Sequence, residues 1–374
     1  MTAGPLDGLR VIELAGIGPA PFAGMVLADL GADVLRIDRP GPPQFPGTDL
    51  LGRGKRSAAL DLKQDRAAEV VRRLAGRADV LIEGFRPGVV ERLGIGPADC
   101  HAVNPALVYG RMTGWGQHGP LAQVAGHDIT YLALSGVLHS IGPADGPPVP
   151  PVNLIGDFGG GGALLVVGVL ASLWRARATG RGEVVDAAIV DGAALLATQM
   201  YGFLHDGLWR DARGANLLDG AAPNYGVYRT SDDRYLAVGP IEPKFWAEFA
   251  ARAGLDGVSP YDPAGWPRLR TLIADRLAEK TRDEWLSIFD GTDACVAPVL
   301  SMSEAPDDPH LAARETFTSA FGVRQPAPAP RFGDGGPAPI RRPPPAIGEH
   351  TAEALRDWGI DDVDDLIAAG VAHD

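Results

Sequence analysis

The strongest constraint on this chain lies in its first 115 residues, where strand-like and helix-like stretches alternate and no hairpin signal separates them. Residues 9–14 (LRVIEL) read as a strand, 16–21 (GIGPAP) as a turn and 22–30 as a helix. A strand at 33–37, a helix at 65–75 and strands at 79–82 and 107–112 follow. Strands joined through helices pair in parallel, which predicts a doubly wound α/β sheet presenting ligand groups at the carboxyl ends of its strands. A long apolar helix at 163–176 and a buried strand at 183–190 extend the same pattern.

The pattern changes after Asp191. Residues 225–229 and 235–238, separated by the turn 230–234, read as a hairpin. Helices at 243–253, 268–279 and 282–289 and a strand at 295–299 complete an α+β unit. The expected organisation is a large Rossmann-like domain at 1–191, a linker at 192–220, a small α+β domain at 221–318 and a Pro-rich linker at 319–346. Residues 347–374 then supply helices at 352–357 and 363–369 that return to the large domain. The eight prolines of 324–346 mark the second linker as a semi-rigid spacer.

Charge narrows the partners. The net charge of −13 argues against nucleic acid or an anionic membrane. Residues 1–100 are balanced, with 13 Lys/Arg and 13 Asp/Glu, so an anionic small molecule would meet the N-terminal third. Cys100 and Cys295 have no disulfide-framework or zinc spacing and fit a reducing cytosol. No basic segment followed by an apolar core opens the chain, so no signal peptide is expected. The longest uncharged run, 158–174, holds five glycines and falls short of the ~20 residues of a membrane span, so it reads as a buried helix. A cytoplasmic chain with a small-molecule ligand is the expectation.

Several residues are placed where chemistry can occur. Gly16 and Gly18 follow a strand, and Asp38 closes the next one, as in a dinucleotide fingerprint. Pro21 stands where the third glycine is needed, however, so an ordinary βαβ turn is the better reading. A basic series, Arg39, Arg53, Lys55, Arg56, Lys63, Arg86 and Arg92, clusters near predicted strand ends, and arginine forks suit phosphate. Asp157 precedes four glycines and an apolar helix, and is either an N-cap or a reactive carboxyl with room for a ligand beside it. His127 heads another apolar helical stretch, either as a structural histidine or as a base. Glu242 sits in a Pro-bounded turn between strand and helix, where a plain helix-start acid is the simpler reading.

Taken together, the segments 53–63 (RGKRSAALDLK), 79–88 (DVLIEGFRPG), 114–120 (GWGQHGP), 126–131 (GHDITY), 156–161 (GDFGGG), 238–245 (VGPIEPKF) and 292–299 (TDACVAPV) resemble the α-methylacyl-CoA racemases of the wider family III CoA-transferase group. The resemblance runs along essentially the whole chain. One departure is Thr130, where the racemase pattern usually has Asn.

The resemblance implies a large Rossmann-like domain and a small one in an interlocked homodimer, with the active site between the large domain of one subunit and the small domain of the other. It implies that His127 and Asp157 are the two proton-transfer residues and that Glu242 pairs with the histidine. It places CoA and substrate contacts on Arg39, Leu60, Asp61, Leu62, Lys63, Gly84, Phe85, Arg86, Arg92, Gly126, Asp128, Ile129, Thr130 and Tyr131. Inverting a carbon α to a thioester needs one acid–base group on each face, which His127 and Asp157 would supply without metal or redox cofactor. The alternative within the group is a CoA transferase in which Asp157 attacks the thioester and carries the acyl group. A non-catalytic acyl-CoA binder would not need both residues.

Overall fold

The computed structural model describes residues 4–43, 47–333 and 335–374. Residues 1–3 and 44–46 of the expected large domain, and Asp334 of the Pro-rich stretch, lie outside the described residues. The chain divides into two compact units. The larger takes the chain to Ser135, resumes at Val152–Leu196 and again at Pro309–Asp374; the smaller is Gly136–Pro151 with Ala197–Asp308.

The larger unit is built on β1 (Arg10–Leu14), β2 (Asp33–Asp38), β3 (Arg56–Leu60), β4 (Val80–Glu83), β5 (Val108–Thr113) and β6 (Val184–Ala188). With the short β12 (Ala372–His373) they form one seven-stranded sheet in the order β12-β3-β2-β1-β4-β5-β6. Every pairing is parallel except that of β12 with β3. Helices α1 (Pro19–Asp29), α2 (Asp65–Ala75), α3 (Val89–Arg92), α4 (Pro97–Val103), α5 (Asp128–Leu134), α6 (Leu164–Thr179) and α7 (Ile189–Leu196) lie along this part of the chain. The parallel α/β fold expected from the alternating pattern is the fold observed.

Two apolar cores sandwich the sheet. One packs α2 and the C-terminal α13 (Thr351–Asp357) and α14 (Val363–Ala368) against Ile12, Leu35 and Leu60. The other packs α1 and α6 against Val11, Val34 and Ile82. Alternate residues of buried strands point to opposite faces, which is why neighbouring Val11 and Ile12 serve different cores.

Three readings are corrected. Strand 183–190 is not buried: β6 is an edge strand with Val184 and Asp186 exposed, and the chain turns into α7 at Ile189. The stretch 319–346 is not only a spacer, because the hairpin β10 (Phe317–Ala320) and β11 (Val323–Pro326) occupies its start, after α12 (Pro309–Ala313). The helix expected at 163–176 begins earlier, so Asp157 lies inside it and is not its N-cap. Residues Leu154–Ala163 form a π-helical segment that runs directly into α6, with the Phe158 N–H donating to the Asn153 carbonyl five residues back. The continuous helix Leu154–Thr179 is long and apolar enough, by length and composition, to cross a membrane; in this fold its Leu165, Val169 and Leu173 face the sheet.

Close packing accounts for the glycine run. A β-carbon at Gly160 would lie 2.7 Å from the Ala193 nitrogen, and one on Gly192 would overlap the Gly160 carbonyl. Only glycines let α7 and the π-helical segment approach backbone to backbone.

The smaller unit pairs β7 (Gly226–Arg229), β8 (Tyr235–Val238) and β9 (Val296–Pro298) in an antiparallel sheet. Helices α8 (Thr198–His205), α9 (Pro243–Ala253), α10 (Trp266–Leu277) and α11 (Arg282–Phe289) complete it. Its core is aromatic, with Trp246, Phe249, Trp285 and Phe289 in mutual ring contact. The expected linker at 192–220 is helical in its first half, where α7 ends at Leu196 and α8 spans Thr198–His205, and has neither helix nor strand from 206 to 220.

Candidate active site

The sheet changes direction between β1 and β4: the chain winds outward through β2 and β3 on one side and through β5 and β6 on the other. A parallel sheet opens a crevice at such a point, beyond the carboxyl ends of its strands. From β1 the loop through Gly18 enters this region, and from β4 comes the turn Gly84, Phe85, Arg86. A β-carbon built on Gly84 would touch that of Ala20 at 3.5 Å, so the two loops are neighbours.

The π-helical segment delivers Asp157 to the same place. Gly18, at φ +71°, passes so close that a β-carbon there would lie 3.2 Å from Asp157 Oδ2. Phe22 and Phe158 stack at 4.7 Å and hold α1 against the segment. The Asp157 N–H donates to Asp128 Oδ1 at 2.7 Å, and its side chain accepts from Asn153 Nδ2 at 3.4 Å. Burial pushes the Asp157 carboxyl above the usual carboxylate range. The Asn153 hydrogen bond opposes that rise, the Asp128 charge adds to it and His127 opposes it.

His127 is the exposed N-cap of α5. Thr130 Oγ1 accepts the His127 N–H at 3.0 Å and donates to its carbonyl at 2.7 Å, locking the helix start. Thr130 therefore does capping work that the neighbouring hydroxyl geometry supports directly. Tyr131 is buried, edge-on to Trp115 with ring centroids 4.7 Å apart. Burial raises its hydroxyl, the Asp157 charge adds to the rise and Arg86 opposes it. His127, Asp128, Tyr131, Asp157 and Arg86 thus share one electrostatic neighbourhood.

The basic series separates into two groups. Arg53 is buried, with Nη2 at 2.5 Å from Asp29 Oδ2 and Nη1 donating to Gln325 and the Pro326 carbonyl. Lys55 Nζ lies 2.6 Å from Glu13 with both side chains fully buried, and Arg56 pairs with Asp33 and Asp357. These three are spent on the fold. Arg39, Lys63, Arg86 and Arg92 are exposed and free to meet a solute anion. Asp38, the acid of the apparent dinucleotide fingerprint, is buried and accepts from Arg36 Nε and Ser57 Oγ, so it has no ribose role.

Other expected contacts sit less openly. Leu60 is fully buried in strand β3, and Leu62 packs on the core. Asp61 accepts the Lys63 N–H and a Gln64 amide proton within its own turn, which lowers its carboxyl. Gly84 and Ile129 are exposed, Phe85 and Gly126 half-buried. Glu242, in the smaller unit, is the exposed N-cap residue of α9 and makes no side-chain cap. Its charge, after burial, raises the Tyr261 hydroxyl and the Cys295 thiol.

Two residues escaped sequence reasoning. Asn153 bonds the Asp157 carboxyl one helical turn ahead of it, a spacing visible beforehand only if the helix were known to start early. Glu83 ends β4, where it is fully buried, accepts the Phe85 N–H at 2.6 Å and faces Arg111. An acid at the end of an apolar strand is the signal that could have found it. Among the described residues no cluster of three or more His, Cys, Asp or Glu side chains is arranged to hold a metal ion.

Comparison with known proteins places these features in a family. The CoA-transferase family III profile matches residues 6–351. The chain is 47% identical to the mouse protein named alpha-methylacyl-CoA racemase, over 95% of this chain and 93% of that one. It is 46% identical to the human protein of the same name, with the same coverage. Among solved structures, a CAIB/BAIF family protein from Brucella suis superposes with a TM-score of 0.82 at 27% identity, covering 96% of this chain and all of that one.

Proposed function

Because this chain belongs to CoA-transferase family III, we propose that it is an isomerase, an α-methylacyl-CoA racemase that interconverts (R)- and (S)-2-methylacyl-CoA thioesters. The observation that carries the reading is that His127 heads α5, whose first residue, Asp128, accepts the N–H of half-buried Asp157 at 2.7 Å, with Asp157 set against the β1 loop at the switch point of the sheet.

One of the pair, deprotonated, takes the C2 proton; the electron pair left on C2 spreads into the thioester carbonyl as an enolate. The other, protonated, returns a proton to the opposite face of C2, and the two residues end with their protonation states exchanged. An aspartic acid raised by burial suits this work, because a group that swaps between acid and base serves best when its pKa is near the working pH. Exposed Arg39, Lys63, Arg86 and Arg92 are the natural partners of the CoA phosphates. Acid–base groups of the chain perform every step of this reading, with no metal or redox cofactor.

Glu242 belongs to the reading as the partner of His127, contributed across an interlocked homodimer. Exposed apolar side chains support a second copy: Val167 (59% exposed) and Trp174 (81%) share one face of α6, and Leu208 (73%) follows α8. The two cysteines without disulfide spacing and the acidic charge support a cytosolic setting with no nucleic acid or membrane partner as part of this reading.

The test uses each pure enantiomer of a 2-methylacyl-CoA in D₂O, reading deuterium at C2 and chirality, beside an assay of acyl transfer to an added carboxylate. Inversion with one deuterium gained is expected. Acyl transfer without inversion would overturn the racemase in favour of a transferase with Asp157 as acyl carrier.

A further inference from the structure

We propose that Asp128 is a positioning residue, which holds Asp157 in place beside His127 and does not contact substrate. The inference rests on the assignment of His127 and Asp157 as the reacting pair. Asp128 immediately follows His127 and is the first residue of α5. It is 8% exposed. Its Oδ1 accepts the Asp157 N–H at 2.7 Å, and the Gly156 N–H is directed at the same carboxylate. A β-carbon on Gly156 would collide with that oxygen, so the glycine is what lets the carboxylate reach the Asp157 amide. Consecutive residues of one element therefore supply the histidine and grip the backbone of the aspartate on another.

The second oxygen makes the case for electrostatics. Asp128 Oδ2 is buried and meets no hydrogen-bond partner. An uncompensated buried oxygen is costly, and a residue serving only as a cap would do as well with an asparagine. Its charge acts instead on its neighbour, raising the Asp157 carboxyl beyond what burial alone does. The other polar and charged groups facing Asp157 are Asn153 on its own segment and His127 and Tyr131 on α5, with Arg86 acting on Tyr131; Gly18 of the β1 loop is uncharged.

The experiment compares Asp128→Asn and Asp128→Ala with the wild-type protein, in whichever reaction the wild type performs, inversion or acyl transfer. Asp128→Ala should lower kcat by about tenfold or more with KM within about twofold, because positioning is lost while CoA contacts remain. Asp128→Asn keeps an oxygen for the Asp157 N–H and should recover part of kcat. For the enantiomer whose proton Asp157 removes, its acid limb of kcat should move to lower pH, since the neighbouring charge is gone. A raised KM with unchanged kcat in both variants would make Asp128 a substrate contact and overturn the proposal. So would an asparagine variant with wild-type kcat and an unmoved pH profile. If the alanine variant fails to fold, as judged by circular dichroism, the asparagine variant alone decides. A wild type that transfers acyl groups without inverting them defeats the racemase reading, and the same two variants then test Asp128 on transfer.

Discussion

Glu83 and Arg111 stand in register on adjacent parallel strands, with Glu83 Oε1 3.0 Å from Arg111 Nε, and the same carboxylate takes the Phe85 N–H on its other oxygen. Arg111 reaches on to Glu91 of α3 at 2.8 Å, so one buried acid braces the turn that carries Arg86 and the helix that ends at Arg92.

This acid sets a pH dependence of stability. Burial pushes the Glu83 carboxyl from 4.5 up to about 7, against the opposing Phe85 and Arg111 interactions. A folded-state pKa above the unfolded one contributes stability that is full below pH 4.5 and lost as pH rises through about 7. The contribution is on the order of 3 kcal/mol. Glu83→Gln should therefore be least stable relative to wild type near pH 5, and the gap should narrow toward pH 8. Urea denaturation at four pH values measures it; a gap that widens with rising pH would refute the assignment.

Lys55 and Glu13 give a test of a buried ion pair. Desolvation opposes both charges, raising Glu13 and lowering Lys55, and each side chain depends on the other. Lys55→Met should cost about 3–5 kcal/mol by stranding the carboxylate. The double variant Glu13→Gln, Lys55→Met should regain most of that loss in equilibrium denaturation. Equal destabilisation by single and double variants would show that packing, not charge, dominates there.

Gly192 and Gly202 should respond oppositely to alanine. At Gly192 the new methyl group overlaps the Gly160 carbonyl, so α7 must move off the segment that carries Asp157. Gly192→Ala should cost about 1–3 kcal/mol and depress activity. Gly202 lies exposed within α8 with open space around it, and Gly202→Ala should stabilise by roughly 0.5–1 kcal/mol. Thermal denaturation of the two variants side by side makes the comparison.

The exposed and buried arginines should fail in different ways. Arg39→Ala or Arg86→Ala should raise KM for the CoA thioester by about tenfold with kcat nearly unchanged, as for uniform binding of a distant phosphate. Arg53→Ala should leave KM alone and lower the melting temperature, because its partners are Asp29 and the β11 strand. Steady-state kinetics beside calorimetry distinguishes the two, and a kcat collapse in Arg86→Ala would move that residue into the chemistry.

What the sequence by itself determined is the alternation that makes a parallel sheet. Strands β1, β2, β4 and β5 carry the apolar runs expected of strands, whereas β3 (RSAAL) carries no such signal and is not among the expected strands, and the helical periods of residues 65–75 and 243–253 coincide with the observed helices. These are local signals, carried by side-chain periodicity within one element. The candidate pair was also legible, since His127 heads a helix and Asp157 sits in a conspicuous glycine run. Position alone could not separate Arg53, Lys55 and Arg56 from Arg86: all are basic residues beside turns, and only the tertiary structure set Asp29, Glu13 and Asp33 opposite the first three. Nor could the sequence tell that Gly160 and Gly162 accommodate α7 and α1, because the atoms that would collide with a β-carbon there come from Ala193, Pro19 and Phe22, more than thirty positions away. Asp128 shows the same division. Its place after His127 is a fact of sequence, whereas its hold on the Asp157 amide exists only once α5 and the π-helical segment are packed together, since a hydrogen bond between distant elements depends on distances that no local pattern encodes.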